Sequence, residues 1–293
     1  MSNIIYKALR YSGAAWLWRE TVQRGKVTIL LFHDMEAADA ERNFTYLKRH
    51  YNIISLQEYL HAVQTKSRLP RKALVITFDD GHASNYTLLP VLQRLEIPIT
   101  IFLCSGIVGT QRHFWFRHSE EIKPQVESLK GFSNEERLQK LTAFGFGQEA
   151  EYNDRQALNT NEIEEMKSVV DFQSHTCFHP ILPQCDDKEA RHEIIDSKQH
   201  LEERYELKIN TLSYPNGDYS ERDIRLAKEA GYICGVTVDS GYNGLHSDLF
   251  RLKRFSVNDA RSTTELMVKS TGLYALIKHM LHKPSYGFKP SRK

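Results

Sequence analysis

Two short stretches of the chain carry residue types that chemistry needs. The first is Leu74-Val75-Ile76-Thr77-Phe78-Asp79-Asp80-Gly81-His82, an apolar run that ends in two adjacent carboxylates and a glycine suited to a sharp turn. Neighbouring carboxylates repel, so a pair at the end of a buried run calls for a cation or a shared proton. Asp-Asp-Gly is also an ordinary turn sequence, and by itself it would be read as one. The second stretch is Val169-Val170-Asp171-Phe172-Gln173-Ser174-His175-Thr176-Cys177-Phe178-His179-Pro180, another apolar run ending in polar groups. His175 and His179 stand four apart, a spacing that zinc hydrolases place on one helix face. Pro180 disfavours a helix at His179, so a loop after a strand is expected here. A histidine pair alone is more often structural than metal-binding. Joined to an acidic pair at another strand end, it makes a set of two imidazoles and a carboxylate that suits zinc or another divalent transition metal. Cys177, between the two, is a competing thiolate ligand. A third run, Ile29-Leu30-Leu31-Phe32-His33-Asp34, also ends in polar chemistry.

These ends need a frame that brings them together. Short β-rich apolar runs lie at 27–32, 73–77, 99–104, 169–173, 211–214, 234–238 and 252–257. Several are apolar at consecutive positions, as parallel strands covered on both faces are. Between them run amphipathic stretches with helix punctuation. Ser55 with Glu58 forms a capping box ahead of 56–63, and Ser220 opens a helix that Gly231 closes. Residues 187–205 place Ile194, Leu201 and Tyr205 on one face. Alternating strands and helices without a linker predict a single α/β domain, closed as a distorted, incomplete (β/α)7-type barrel. In such folds the active site lies at the C-terminal ends of the strands.

The segment from about 110 to 157, with Phe114-Trp115-Phe116 and a polar helical piece at 134–143, is expected to be an insertion above one end of the barrel. It either carries function or only covers the core. Trp115 there is either a lining of a ligand cleft or a packing residue.

Composition bounds the rest. The chain has 293 residues, 41% of them hydrophobic and 26% charged, which is ordinary for a soluble domain with a sizeable core. A net charge of +2 does not point to a strongly polyanionic partner, and no nucleic acid is expected from charge alone. No apolar run is long enough to span a bilayer, and the N-terminus does not read as a signal peptide. Cys104, Cys177, Cys185 and Cys234 show no C-x-x-C spacing and are read as reduced thiols, which favours the cytoplasm.

Over roughly residues 27–258 the chain resembles the polysaccharide deacetylase superfamily, the NodB-homology or carbohydrate esterase family 4 group. Thr77-Phe78-Asp79-Asp80-Gly81 looks like its first motif, T-F-D-D-G. Ser174-His175-Thr176-Cys177-Phe178-His179-Pro180 looks like its second, with H-x-x-x-H spacing retained. The third, R-x-P-[FY]-G, is met by Ser213-Tyr214-Pro215-Asn216-Gly217, with Ser213 where arginine is usual. That arginine orients the catalytic aspartate in the family, and Arg254 near the last strand is the candidate to replace it. Val236-Thr237-Val238-Asp239-Ser240-Gly241-Tyr242-Asn243 departs from the fourth motif, D-x-x-D-W. The last strand lacks the L-x-H whose histidine is the usual general acid. His33 resembles the opening Y-H-x-[VM] of a branch in which motif order is circularly permuted.

The resemblance implies a hydrolase that removes an N-acetyl or other short N-acyl group from an amino sugar of a bacterial polysaccharide or lipid-linked glycan. Asp80, His175 and His179 would hold a divalent metal, zinc first. Asp79 would be general base and His33 general acid. The N–H of Asn216, in the turn set by Pro215 and Gly217, would help hold the oxyanion. Two rivals stand beside this reading. One is a glycan-binding protein that lost catalysis, and the other a deacylase of a non-sugar amide or ester.

The ends differ from the middle. Residues 1–26 carry five Lys or Arg and one acid, with Trp16 and Trp18 close by; after Glu265 there are six Lys or Arg and no acid. Leu273, Leu276, Ile277, Met280 and Leu281 fall on one helical stripe near Lys278 and Lys283. This pattern fits either an interfacial helix at the cytoplasmic face of a membrane or a stripe that covers the barrel, with 259–293 as helix and basic tail. The oligomeric state is not legible.

Overall fold

The computed structural model of the chain describes residues 3–257 and 262–281. Eight strands form one parallel sheet: β1 Val27–Phe32, β2 Asn52–Ile53, β3 Ala73–Phe78, β4 Ile99–Leu103, β5 Val170–Ser174, β6 Thr211–Ser213, β7 Cys234–Val236 and β8 Phe255–Ser256. The order is β7-β6-β5-β4-β3-β1-β8, with β2 against β3. Every residue of β1, β3 and β4 is buried, which accounts for their unbroken apolar sequences. The result is the expected distorted, incomplete barrel in a single α/β domain. Between β7 and the last segment only one bridge, Val236 with Leu252, completes the ring.

The expected strand at 252–257 shrinks to two residues for a reason visible in its bonding. Leu252 bonds Gly235 and Thr237 beside β7, whereas Phe255 and Ser256 pair with Leu30 and Leu31 of β1. The segment therefore changes neighbour midway, and Arg254 lies at that change.

Helix ends follow their caps. Ser55 and Glu58 form the reciprocal capping box of the helix Leu56–Thr65, and Ser220 with Asp223 forms that of Glu221–Glu229, with Gly231 left-handed beyond it. The stretch 187–205 is helical but interrupted: Asp187–Arg191 passes through a π turn, His192–Asp196, into Ser197–Tyr205. Ile194, Leu201 and Tyr205 are buried, as their spacing predicts.

Residues 110–157 hold no strand, and they bury a small core of their own. Trp115, Ile122, Leu129, Leu141 and Phe146 pack with Ile181, which follows the second histidine. The helix Asn134–Thr142 in this region has a Ser133/Glu136 capping box.

At the ends, the helices Asn3–Tyr11, Ala14–Thr21, Thr263–Lys269 and Leu273–Leu281 gather around Tyr6, Ala15 and Val268. Leu273 is buried, whereas Leu276 and Met280 of the same stripe face outward. Lys283 and the rest of the basic tail lie outside the described residues. Among the described residues no helix is long and apolar enough to cross a membrane.

Candidate active site

Sheet register assembles the site. β1 and β3 pair residue for residue up to Phe32 and Phe78, so His33 and Asp79 are the next pair up, and the Asp79 N–H donates to the Phe32 carbonyl at 3.0 Å. β4 and β5 pair up to Leu103 and Ser174, and the His175 N–H donates to the Leu103 carbonyl at 2.8 Å. β5 meets β6 at Ser174 and Leu212, which sets His175 beside Ser213. The polar ends of four strands thus share one rim, as parallel pairing requires.

The two adjacent carboxylates have opposite surroundings. Asp79 is gripped by a buried guanidinium: Arg254 Nη1 donates to Oδ1 at 2.8 Å and Nη2 to Oδ2 at 2.7 Å. This is a bidentate fork, the strong and directional form of the pair. Arg254 is in turn held by the Thr237 carbonyl (2.7 Å), Thr77 Oγ1 (3.2 Å) and Ser213 Oγ (3.0 Å). The Ser213 hydroxyl also donates to Asp79 Oδ2 at 3.2 Å. Burial raises the Asp79 pKa, but Arg254, with His175 and His33 adding, outweighs it and the net shift is down.

Asp80 has no such cation. Its Oδ2 lies 3.0 Å from His82 Nε2, and its Oδ1 is buried without a hydrogen-bond partner. That orphaned oxygen faces His175 Nε2 at 3.4 Å and His179 Nε2 at 3.5 Å. The ligand atoms of Asp80, His175 and His179 lie within 4.8 Å of one another, the one such group among the described residues. His175 Nδ1 donates to the Ser213 carbonyl at 2.8 Å, which in the neutral ring leaves the Nε2 lone pair facing inward. An unpartnered carboxylate oxygen opposite imidazole nitrogens is what a divalent cation would satisfy, so the residues fit the metal expected of them.

The electrostatics agree at His179 and differ at His175. Burial lowers His179 to about 3 despite Asp80, so its imidazole is neutral, the form that ligates. Burial also pushes His175 down, but Asp79 and Asp80 outweigh it and the net shift is up. For Asp80 burial raises the pKa, yet the nearby imidazoles of His175 and His82 outweigh it and carry it well below the usual value.

Strained backbone marks the same place. Asp80, Thr176, His179 and Asn216 all have positive φ (74°, 68°, 56° and 54°), a region most side chains avoid. Asn216 lies in the tight turn after β6 between Pro215 and Gly217. A Cβ on Gly217 would fall 2.7 Å from the Val238 backbone nitrogen, so the close approach of the two loops requires glycine. His33, half-buried, ends β1 near enough for its charge to act on Asp79.

Several residues of the site escaped sequence reasoning. His82 sits between Asp80 and Arg117, whose guanidinium lies 3.1 Å from the ring. Arg117 belongs to the 110–157 segment, so that segment reaches the Asp80 carboxylate through one intervening histidine. The Glu193 carboxylate, in the π turn, accepts the N–H groups of Cys177 and Phe178 at 2.8 and 2.9 Å and so holds the loop between the two histidines. Burial raises its pKa to about 7. Trp115 takes the packing role: it is buried and its Nε1 donates to the His179 carbonyl at 2.9 Å. Cys177 does not join the metal group; its thiol lies 3.4 Å from Ser105 Oγ, and all four cysteines are free and buried.

A parallel incomplete barrel with an Asp-Asp doublet, one member clamped and the other facing two imidazoles, defines a hydrolase-type site with a candidate metal triad. The chain belongs to the polysaccharide deacetylase family, whose model matches residues 66–235. It is a hydrolase of carbon–nitrogen bonds of that type. The Bacillus subtilis protein YxkH, whose name assigns it to the same class, is 22% identical over 255 residues, covering 84% of this chain and 76% of its own. The poly-β-1,6-N-acetyl-D-glucosamine N-deacetylase of Staphylococcus aureus is 20% identical over 230 residues, 78% of this chain and 69% of its own. The solved structure of IcaB from Ammonifex degensii shares the fold with a TM-score of 0.62 at 17% identity, covering 85% of this chain and 98% of that one.

Proposed function

We propose that this protein removes an N-acetyl or other short N-acyl group from an amino sugar within a bacterial polysaccharide or lipid-linked glycan. The observation that carries this reading is the split doublet: Asp79 ionised in the Arg254 fork, Asp80 with an orphaned oxygen facing His175 and His179. The name of the Staphylococcus aureus relative supports an N-acetylated amino sugar as substrate.

Each residue has a task in this reading. Asp80, His175 and His179 hold a divalent cation, zinc before other transition metals. When bound, that cation supplies Lewis acidity to the acyl oxygen and lowers the pKa of water. Asp79 accepts a proton from the attacking water, and Arg254 keeps its carboxylate ionised and aimed. The Asn216 N–H donates to the developing oxyanion, with Pro215 and Gly217 shaping its turn. His33, across from Asp79 at the end of β1, gives its proton to the leaving amine, which otherwise departs poorly. Products are the free amine and a short carboxylate.

Arg254 weakens the case for a glycan-binding protein without catalysis, because it fills the place that Ser213 left open. A panel of N-acetylated glycans, glycolipids and aryl acetates, assayed for released amine and acid with and without added metal, tests the proposal. Metal-dependent release of amine from an N-acetylated glycan is expected. Binding of glycan without turnover would overturn it, and turnover of the aryl acetates alone would assign an ester substrate.

A further inference from the structure

Charge and apolar exposure are both concentrated at one corner of this protein. Among the described residues seven large apolar side chains are exposed, and all but Val238 lie on the terminal helices. They are Ile4 (73% exposed) and Tyr11 (74%) of Asn3–Tyr11, Trp16 (59%) and Leu17 of Ala14–Thr21, and Leu276 and Met280 (66%) of Leu273–Leu281. These helices are neighbours. The tilted rings of Tyr6 and Tyr274 lie with centroids 5.0 Å apart, Arg10 reaches Thr264, and Tyr6, Ala15 and Val268 form their shared core. Their inner faces are therefore satisfied, and the outward apolar residues are not covered by any of the described residues.

The charge of the same segments is one-sided. Among the described residues, 3–26 and 262–281 carry seven Lys or Arg against two acids, whereas residues 27–261 carry 28 basic against 35 acidic side chains. The two acids, Glu20 and Glu265, are paired, the first with Arg19 and Lys72 and the second with Lys269. A near-neutral protein is thus a basic corner on an acidic body. A second copy of the chain docked face to face would set basic against basic. A surface of fixed negative charge with an apolar interior complements both features, and repels the acidic body so that only this corner approaches.

We propose that the outer faces of the terminal helices dock this protein on an anionic lipid bilayer. Trp16, Leu17, Tyr11 and Met280 enter the boundary between headgroups and acyl chains, and Lys7 and Lys278, exposed on the same helices, meet the headgroups. This surface is independent of the deacetylase reading and of the residues assigned to it.

The chain has three tryptophans. Trp115 is buried and Trp18 bonds Tyr242 OH at 2.8 Å, so Trp16 is the exposed reporter. Full-length protein is mixed with vesicles of phosphatidylglycerol and phosphatidylcholine, or of phosphatidylcholine alone, and followed by sedimentation and tryptophan emission. Binding to the anionic vesicles is expected at low salt, weaker at high salt, with a blue shift that Trp16→Phe removes. The pair Trp16→Ser and Met280→Ser should weaken binding by about tenfold or more while melting and glycan turnover stay unchanged. Protein that remains in the supernatant with unshifted emission overturns the proposal. So does a concentration-dependent dimer that Trp16→Ser dissolves, which would assign the face to a second copy.

Discussion

Arg254 and Asp79 lie 175 positions apart in the chain and meet through two parallel bonds of 2.8 and 2.7 Å, both side chains buried. Ser213, which bonds both, occupies the position where related proteins are expected to carry the orienting arginine. In this chain the cation that grips Asp79 comes from the last segment and not from β6. This is possible because β6 and the segment after β7 border the same rim.

Removing the fork should cost both stability and rate. Arg254→Met leaves Asp79 buried without its cation and is expected to destabilise by about 3–5 kcal/mol. Arg254→Lys keeps charge but not the two-point geometry, and turnover should still fall. Moving the arginine back, as Ser213→Arg with Arg254→Ser, should recover part of what Arg254→Ser loses. Denaturant midpoints and kcat of Ser213→Arg, Arg254→Ser and their combination, with the unaltered protein, form the cycle, and strict additivity would show that the two positions do not share a role.

The neighbouring carboxylates should separate on mutation. Asp79→Asn is expected to retain metal and lose roughly two to four orders of magnitude in kcat. Asp80→Asn should lose metal first, because its oxygen is the orphan between the imidazoles. Metal content of the purified variants reads this directly; equal loss in both would remove the distinction.

His33→Ala should discriminate between leaving groups. An amide needs its departing nitrogen protonated, so turnover of an N-acetyl substrate should fall by roughly two to four orders of magnitude. An aryl acetate, whose leaving group departs unaided, should be affected far less. If both fall by one factor, His33 is not the acid.

Glu193 should give the fold a pH dependence of definite sign. Its folded pKa is raised to about 7 from 4.5, so the native state holds the proton more tightly than the unfolded chain. That contribution is complete below the unfolded value and is lost as pH rises through about 7, by up to about 3 kcal/mol. Urea midpoints should fall between mildly acidic and mildly alkaline pH. Glu193→Gln should flatten that fall, and an unchanged slope in the variant would assign it elsewhere.

The sequence by itself determined the residue chemistry and the strands that carry it. The apolar runs at 27–32, 73–77 and 99–104 became β1, β3 and β4 with shifts of one residue at most, and the Ser55 and Ser220 caps formed as read. Such features are local: periodicity, a capping side chain and a left-handed glycine act within a few residues of one another. The convergence of Asp80, His175 and His179 was also legible, because parallel strands put their C-terminal ends on one rim. What only the tertiary structure decided depends on which strands and loops become neighbours. It made Arg254 the clamp on Asp79 and set His82 between Asp80 and Arg117. It turned Trp115 inward to the His179 carbonyl, and it split the last helix between buried Leu273 and exposed Met280. Spacing along a chain carries no record of a partner 175 residues away. That contact exists because the last segment leaves β7 for β1 midway, and a buried carboxylate there needs a cation.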